Sequence, residues 1–236
     1  MVVAAYNEAD RIGATLAALE LAFPGAPMWV ADDGSTDGTS EIALRAGARV
    51  IRSERVIGKG GAVTPAAGEA LSLARLRAAE TLEHHGGAVH EVGRSVFVLC
   101  DGDLAESARE LSALADCIRR GEGDIAVAAF ARRVGGGLGL ALAFARWAIR
   151  ARCGLRTSAP ISGQRALSER ALEDVLPLAH GYGMEVGMTI DAVRAGNRLI
   201  EVELDLSHRA SGRTLAGFAH RARQLVDFMR AYLARG

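Results

Sequence analysis

Ser95-Val96-Phe97-Val98-Leu99-Cys100-Asp101-Gly102-Asp103 is the stretch whose reading decides the fold. From Val96 to Cys100 every side chain is apolar, and the run is β-branched and aromatic enough to predict a buried strand. Two carboxylates then stand one residue apart at the strand's C-terminal end. In an open α/β sheet that edge is where ligands bind. Paired carboxylates there offer hard oxygens to Mg²⁺ or Mn²⁺, and an ion so held can in turn hold a diphosphate. Taken alone, Asp-Gly-Asp reads more simply as a surface turn, because Asp and Gly favour turns. The surrounding chain reverses that order.

Upstream, Val2-Val3-Ala4-Ala5-Tyr6 reads as a short buried strand. It begins almost at the initiating Met, which suggests a first strand cut short or a start site placed late. Asn7 is expected to cap the helix that follows, with Glu8 and Asp10 in its first turn and Ile12, Leu16 and Leu19 on its apolar face. Met28-Trp29-Val30-Ala31 is a second strand, running into Asp32-Asp33-Gly34-Ser35-Thr36-Asp37-Gly38-Thr39, and Ala48 to Arg52 is a third. The alternation β-α-β-α-β predicts a parallel sheet with right-handed crossovers. Two phosphate-binding signatures are absent. A dinucleotide fold would place G-x-G-x-x-G after the first strand, where Ala5-Tyr6-Asn7-Glu8 stands; a P-loop needs Gly at Ser53 and a hydroxyl at Gly60.

Between Gly61 and Ser95 lies a long Ala-rich segment, expected to be helical from about Glu69 to His85. His84, His85 and His90 near its end lack a carboxylate or Cys at ligand spacing and read as cap and loop residues. Downstream, an amphipathic helix carries Leu111, Leu114, Ala115 and Ile118, and Ile125 to Phe130 is a further strand. Arg132 to Gly137 reads as a loop before an apolar helix from Leu138, whose basic end holds Arg146, Arg150 and Arg152. That helix either packs on the core or lies on a membrane surface with its arginines at phosphate level. Leu199 to Leu206 is a late strand. The last helix, Leu215 to Leu233, sets Leu215, Phe218, Ala222, Leu225 and Met229 on one face.

The 236 residues suffice for one large domain with a substantial core. A net charge of zero gives no sign of a nucleic-acid partner. Three cysteines, Cys100, Cys117 and Cys153, form neither a disulfide framework nor a zinc spacing, which fits a reducing cytoplasm. No apolar run reaches the ~18 residues of a membrane span, and no basic-then-apolar leader is seen, so a soluble protein is expected. Among 28 basic residues only Lys59 is a lysine. A compact ammonium at Ile57-Gly58-Lys59-Gly60-Gly61, in a chain that otherwise uses arginine, points to a site that a planar guanidinium does not suit.

Taken together, Ala5-Tyr6-Asn7-Glu8, Asp32 to Thr39, Gly58-Lys59-Gly60, Asp101-Gly102-Asp103 and Gly183-Met184-Glu185 resemble, in that order, the motifs of family 2 glycosyltransferases. The most similar members are the dolichyl- or polyprenyl-phosphate sugar transferases, followed by the glucosyl-3-phosphoglycerate synthases. The resemblance implies an α/β GT-A fold, Rossmann-like, with a mostly parallel central sheet flanked by helices. It implies a single domain over 1–236, with 1–103 the nucleotide-sugar half and 104–236 the acceptor half. Ala5, Tyr6, Glu8 and Asp33 would line the base and ribose pocket, where donors on uracil and ribose need acceptors. Lys59 would lie near the nucleotide, and Asp101 would face the ribose or a metal-bound water. Asp103 and His208 would ligate Mg²⁺ or Mn²⁺. Glu185 is the candidate base for a hydroxyl acceptor, or the holder of sugar hydroxyls for a phosphate acceptor. Arg209 and Arg213 would bind a phosphate through forked hydrogen bonds.

The implied reaction moves a hexose from a UDP- or GDP-sugar to a phosphate-bearing or hydroxyl acceptor. Polyprenyl phosphate with inversion leads; a soluble retaining transferase acting on a small phosphorylated acceptor such as phosphoglycerate is the alternative. A non-catalytic nucleotide-sugar-binding protein is the rival from another class. The expected location is cytoplasmic, with a peripheral contact at the inner face of the membrane as one option and a homodimer as another. The segment from Thr64 to Arg94 is longer than the family's usual connection, and its purpose is not assigned.

Overall fold

In the computed structural model, the strand read from Val96 onward forms as Val96–Asp101 (β4) and lies inside a seven-stranded sheet. The structure describes residues 1–85, 95–130, 139–206 and 215–236, with the side chains of 82–85, 130 and 215–223 left out. The other strands are Val2–Ala5 (β1), Trp29–Asp32 (β2), Arg49–Arg52 (β3), Ile125–Phe130 (β5), Arg165–Ser168 (β6) and Leu199–Leu204 (β7). The order across the sheet is β3-β2-β1-β4-β6-β5-β7. β1 to β4 run parallel, as do β5 and β7, while β6 is antiparallel to both neighbours.

Strand alternation divides the core into two layers. Val3, Val30, Val98 and Cys100 face one side with Ile12, Leu16 and Leu19 of Ile12–Ala22 (α1). Each of those three helical side chains is buried, contributing about 1.5 to 3 kcal/mol apiece. Leu111 and then Leu114, Ala115 and Ile118 of Ser112–Arg119 (α4) complete this layer, as their spacing predicts. Val2, Trp29, Phe97 and Leu99 face the other side. There Lys59–His85 (α3) lays Ala62, Ala66, Ala67 and Ala70 on the sheet, and small side chains let a helix approach closely. Glu169–Val175 (α6) and Met184–Arg194 (α7) cover the rest of that face. Thr39–Arg45 (α2) joins β2 to β3. A third cluster joins α7 to Gly139–Cys153 (α5) and Leu215–Leu233 (α8) through Ile149, Ile190 and Phe228.

Three local readings change. Asn7 does not cap α1, which starts five residues later with Arg11 at its cap and no acidic residue in its first turn. Instead Asn7 adopts φ 55 and clasps the next loop: its amide donates to Ser35 Oγ and its Oδ1 accepts from the Thr36 amide, both near 2.9 Å. Asx side chains that bond to nearby backbone favour such turns over helix. Second, α3 begins at Lys59 rather than near Glu69, so the Gly-Lys-Gly motif is its first turn. Third, β6 and α6 have no counterpart among the elements read from the sequence. β6 is four residues long and begins with an arginine, so neither length nor alternation marked it.

Candidate active site

Register brings the sequence motifs to one sheet edge. Ala5 pairs with Asp32, Ala4 with Asp101, and the Gly102 amide donates to the Ala4 carbonyl at 2.8 Å. The C-terminal ends of β1, β2 and β4 are therefore level, and the loops after them converge. Gly102 is buried, and a Cβ there would crowd Ile12 and the Ala4 carbonyl.

The Asp32–Thr39 run chiefly fastens loops together. Asp32 is fully buried; its carboxylate accepts from the Ser35 amide at 2.8 Å and from the Ser40 hydroxyl. Asp37 accepts from the amides of Ala9 and Thr39, and Thr39 Oγ1 accepts from the Glu8 amide. Asp33, 7% exposed, accepts from the amides of Ile57 and Gly58 at 2.7 and 2.9 Å. It therefore sits at the N-terminus of α3, where the helix dipole favours a carboxylate. Gly58 has φ +90, and a Cβ there would collide with Gly181, so the turn into α3 requires glycine. Tyr6 is about half exposed at the same edge.

Lys59, the first residue of α3, points its ammonium at two carboxylates: Asp101 Oδ1 at 2.5 Å and Glu185 Oε1 at 2.8 Å. Burial opposes a charge on this lysine, but the two carboxylates outweigh burial and hold its pKa above the usual lysine range. Gly163 lies against the ammonium and the Asp101 carboxylate, so a methyl group there would have to displace them. The other oxygen of Asp101 accepts from Gln164 Nε2 at 2.7 Å. The lone lysine thus faces its own acidic partners, which explains its compact head group.

Sequence reasoning missed Gln164 and Arg165. Arg165 is fully buried on β6, and its Nη2 donates to the Glu185 carbonyl at 3.1 Å. Burial pulls its pKa down to about 10, against the raising effect of Glu185 and Glu201. The only signal for the pair was the Ser162-Gly163-Gln164-Arg165 punctuation.

The structure brings together Ala5, Asp33, Lys59, Asp101, Asp103 and Glu185, with Tyr6 and Glu8 on the adjoining loop. Of the two acidic side chains after β4, Asp101 is committed to Lys59 and Gln164, and Asp103 is half-buried beyond it, its carbonyl accepting from Arg11. Among the described residues no group of three or more His, Cys, Asp or Glu side chains is placed to hold a metal. Such a group is not needed for Mg²⁺, which is commonly bound by one or two carboxylates plus substrate phosphates. Asp103 carries a carboxylate of that kind at the C-terminal edge of the sheet. His208, Arg209 and Arg213 lie outside the described residues, as do His90 and the 132–137 loop.

An acidic C-terminal edge on a mostly parallel sheet, with an added antiparallel strand, defines a GT-A glycosyltransferase architecture. The comparisons agree. Residues 1–72 match the pattern described as Glycosyl transferase family 2. An undecaprenyl-phosphate mannosyltransferase of Micrococcus luteus is 28% identical over 227 residues, covering 89% of this chain and 84% of the relative. A glucosyl-3-phosphoglycerate synthase of Mycolicibacterium paratuberculosis is 29% identical over 249 residues, covering 96% and 69%. The glucosyl-3-phosphoglycerate synthase of Mycobacterium tuberculosis, solved with Mg²⁺ and UDP, superposes with a TM-score of 0.70 at 26% identity, over 99% of this chain and 77% of that one. The same enzyme with Mn²⁺, UDP and glucosyl-3-phosphoglycerate gives 0.68 at 26% identity, over 99% and 78%. These likenesses, family 2 over residues 1–72 and two named transferases over most of the chain, support a glycosyltransferase.

Proposed function

We propose that the protein moves a hexose from a UDP- or GDP-sugar to a phosphate-bearing acceptor, with Mg²⁺ or Mn²⁺ as cofactor. The observation that supports this most is the acidic pair after β4, level with Ala5 and Asp32 and tied to Lys59 and Glu185. Asp103 takes the metal-ligand role that the resemblance implies, with His208 the second protein ligand, while Asp101 is held by Lys59 and Gln164. When bound, the ion would neutralise the charge that grows on the leaving diphosphate. Ala5, Tyr6, Glu8 and Asp33 form the nucleotide side of the cleft. Residues 1–103 are the donor half and 104–236 the acceptor half, with Gln164 and Glu185 reaching into the donor edge from the second.

Glu185 is 7% exposed on its side chain and held by Lys59. Toward a phosphate nucleophile, already anionic, it orients sugar hydroxyls; toward a hydroxyl nucleophile it takes the proton. Arg209 and Arg213 receive the acceptor's phosphate. Both named relatives act on acceptors that carry one, undecaprenyl phosphate and phosphoglycerate. A polyprenyl phosphate with inversion remains the first reading, and one surface favours it. Leu140 is 85% exposed and Trp147 52% on α5, and Leu233 70% on α8; the two helices also carry the exposed Arg146, Arg150 and Arg230. Apolar and aromatic side chains among arginines suit an anionic bilayer surface, and no helix among the described residues is long and apolar enough to cross one. The overall likeness to the phosphoglycerate enzymes favours the soluble acceptor.

The test pairs UDP-glucose or GDP-mannose and Mn²⁺ with 3-phosphoglycerate in solution or undecaprenyl phosphate in anionic vesicles. Donor consumption with a glycosylated product from one acceptor supports the reading, and NMR of the product's anomeric centre reads inversion or retention. UDP–Mn²⁺ binding without donor consumption would instead identify a non-catalytic nucleotide-sugar-binding protein. Light scattering on the same preparations shows whether the α5–α8 face pairs with a second copy.

A further inference from the structure

The contacts around Lys59 close into a ring. From Lys59 Nζ the path runs to Asp101 Oδ1 (2.5 Å), and from Asp101 Oδ2 to Gln164 Nε2 (2.7 Å). Gln164 Oε1 accepts from Ser162 Oγ (3.2 Å), and the Ser162 carbonyl accepts from Arg165 Nε (2.9 Å). Arg165 Nη2 donates to the Glu185 carbonyl (3.1 Å), and Glu185 Oε1 returns to Lys59 Nζ (2.8 Å). A brace crosses it: Arg165 Nη1 donates to Thr189 Oγ1 (3.0 Å), whose hydroxyl donates to the same Glu185 carbonyl (2.9 Å). Four elements are joined: the start of α3, the end of β4, the start of β6 and the first turns of α7.

Ser162, Gln164, Arg165, Glu185 and Thr189 are each no more than 5% exposed. Burying a guanidinium is costly, and apolar residues of similar volume often stabilise as well or better. A buried arginine is therefore weak evidence of a stabilising role. What a guanidinium supplies is several donors in one rigid plane, and Arg165 uses three separate nitrogens on three separate partners. Of those partners, Ser162 bonds to Gln164, which holds Asp101, and Glu185 itself holds Lys59.

We propose that Arg165 is a positioning residue of the transferase: it fixes the Ser162–Gln164 turn and the start of α7 together, and so sets Glu185, Lys59 and Asp101 against the donor. Arg165 touches no substrate in this account and acts through Glu185. The kinetic part of the test rests on the proposed function; the first part does not.

Because Lys59 is the single lysine, one ε-amine reports on the ring. Reductive methylation followed by mass spectrometry should find it protected in the wild type. In Arg165→Met it should react at least about tenfold faster in protein that still melts cooperatively. Thr189→Val, which removes only the crossing brace, should give an intermediate rate and serves where Arg165→Met does not fold. Unchanged reactivity in a folded variant overturns the proposal.

The second part is a double-mutant cycle with UDP-glucose, Mn²⁺ and the active acceptor. Arg165→Lys should lower kcat by about 10- to 100-fold with KM for the donor nearly unchanged. Combined with Glu185→Gln it should add little to the loss from Glu185→Gln alone. Losses that multiply independently would mark Arg165 as merely structural. A wild type without turnover would refute the proposed function and leave the amine measurement as the test of Arg165.

Discussion

Replacing Lys59 by Met removes the ammonium and keeps much of the aliphatic stem. Glu185, 7% exposed on its side chain, then loses its cation in a site that water scarcely reaches. Asp101, 35% exposed, loses the same partner but keeps Gln164 and some solvent. Breaking a buried pair by removing one member typically costs about 3 to 5 kcal/mol. The exposure of Asp101 argues for the lower end, about 3 kcal/mol, because solvent screens that half of the interaction. For a chain of this size each kcal/mol moves Tm by roughly 2 to 4 °C, so the variant should melt about 6 to 12 °C below the wild type at pH 7.5. Lys59→Arg should recover part of that loss: the charge returns, but Gly163 lies against the head group and leaves little room for a guanidinium. The assay is paired thermal and urea unfolding of wild type and both variants, with Mn²⁺-dependent UDP release from UDP-glucose alongside. A Met variant within 1 °C of the wild type and with full turnover would refute the reasoning, since a lysine truly held by two carboxylates cannot be removed without effect.

Four further outcomes follow from the same geometry. Gly163→Ala places a methyl group where the Lys59 ammonium and the Asp101 carboxylate now meet, so UDP release should fall at least about tenfold while the fold is kept; unchanged turnover would contradict the packing. Gly60→Ala would drive a methyl group into the Ala179 carbonyl and should destabilise by about 1 to 3 kcal/mol in urea unfolding. Burial pushes the Cys100 thiol up to about 12, so iodoacetamide at pH 8 should label the partly exposed Cys153 first and spare Cys100 until the protein is unfolded. For Glu201, burial acts to raise the pKa, but the hydroxyls of Ser158 and Thr157 and the amides of Ala159 and Ser158 outweigh it and hold the carboxyl below its usual value. A depressed folded-state pKa contributes stability above the unfolded value, 4.5, that is lost as pH falls through the folded one. The stability gap between wild type and Glu201→Gln should therefore be open at pH 7 and narrow as pH falls below 4.5.

Much of this site was legible because its parts follow strands. Asp101 and Asp103 declared themselves by ending an apolar run, and parallel register then placed Ala5 and Asp32 beside them. α4 was visible from apolar spacing, which the structure turns into burial for Leu111, Leu114, Ala115 and Ile118; on α8 the expected face was misplaced, since Met229 is 38% exposed while Phe228 and Ala231 are buried. Asn7 misled because its side chain suits a helix cap and a loop clasp equally, and only the partner loop at Ser35–Thr36 decides between them. The start of α3 was hidden by Gly58, Gly60, Gly61 and Pro65, residues with poor helix propensity that tertiary packing against Ala179 and Gly181 nonetheless accommodates. β6 was hidden by length, and with it Arg165, whose buried charge runs against the apolar pattern that marks a strand. The partners of Lys59 come from 42 and 126 residues away in sequence, a distance that only the assembled fold removes.

In the proposed reaction Asp103 ligates a divalent ion that carries the nucleoside diphosphate. Titration of Mn²⁺ into protein with UDP, followed by the loss of the free Mn²⁺ EPR signal, measures it directly. Wild type should bind Mn²⁺ far more tightly with UDP than without it, and Asp103→Asn should lose most of that gain while remaining folded. Equal Mn²⁺–UDP binding by wild type and Asp103→Asn would contradict the account.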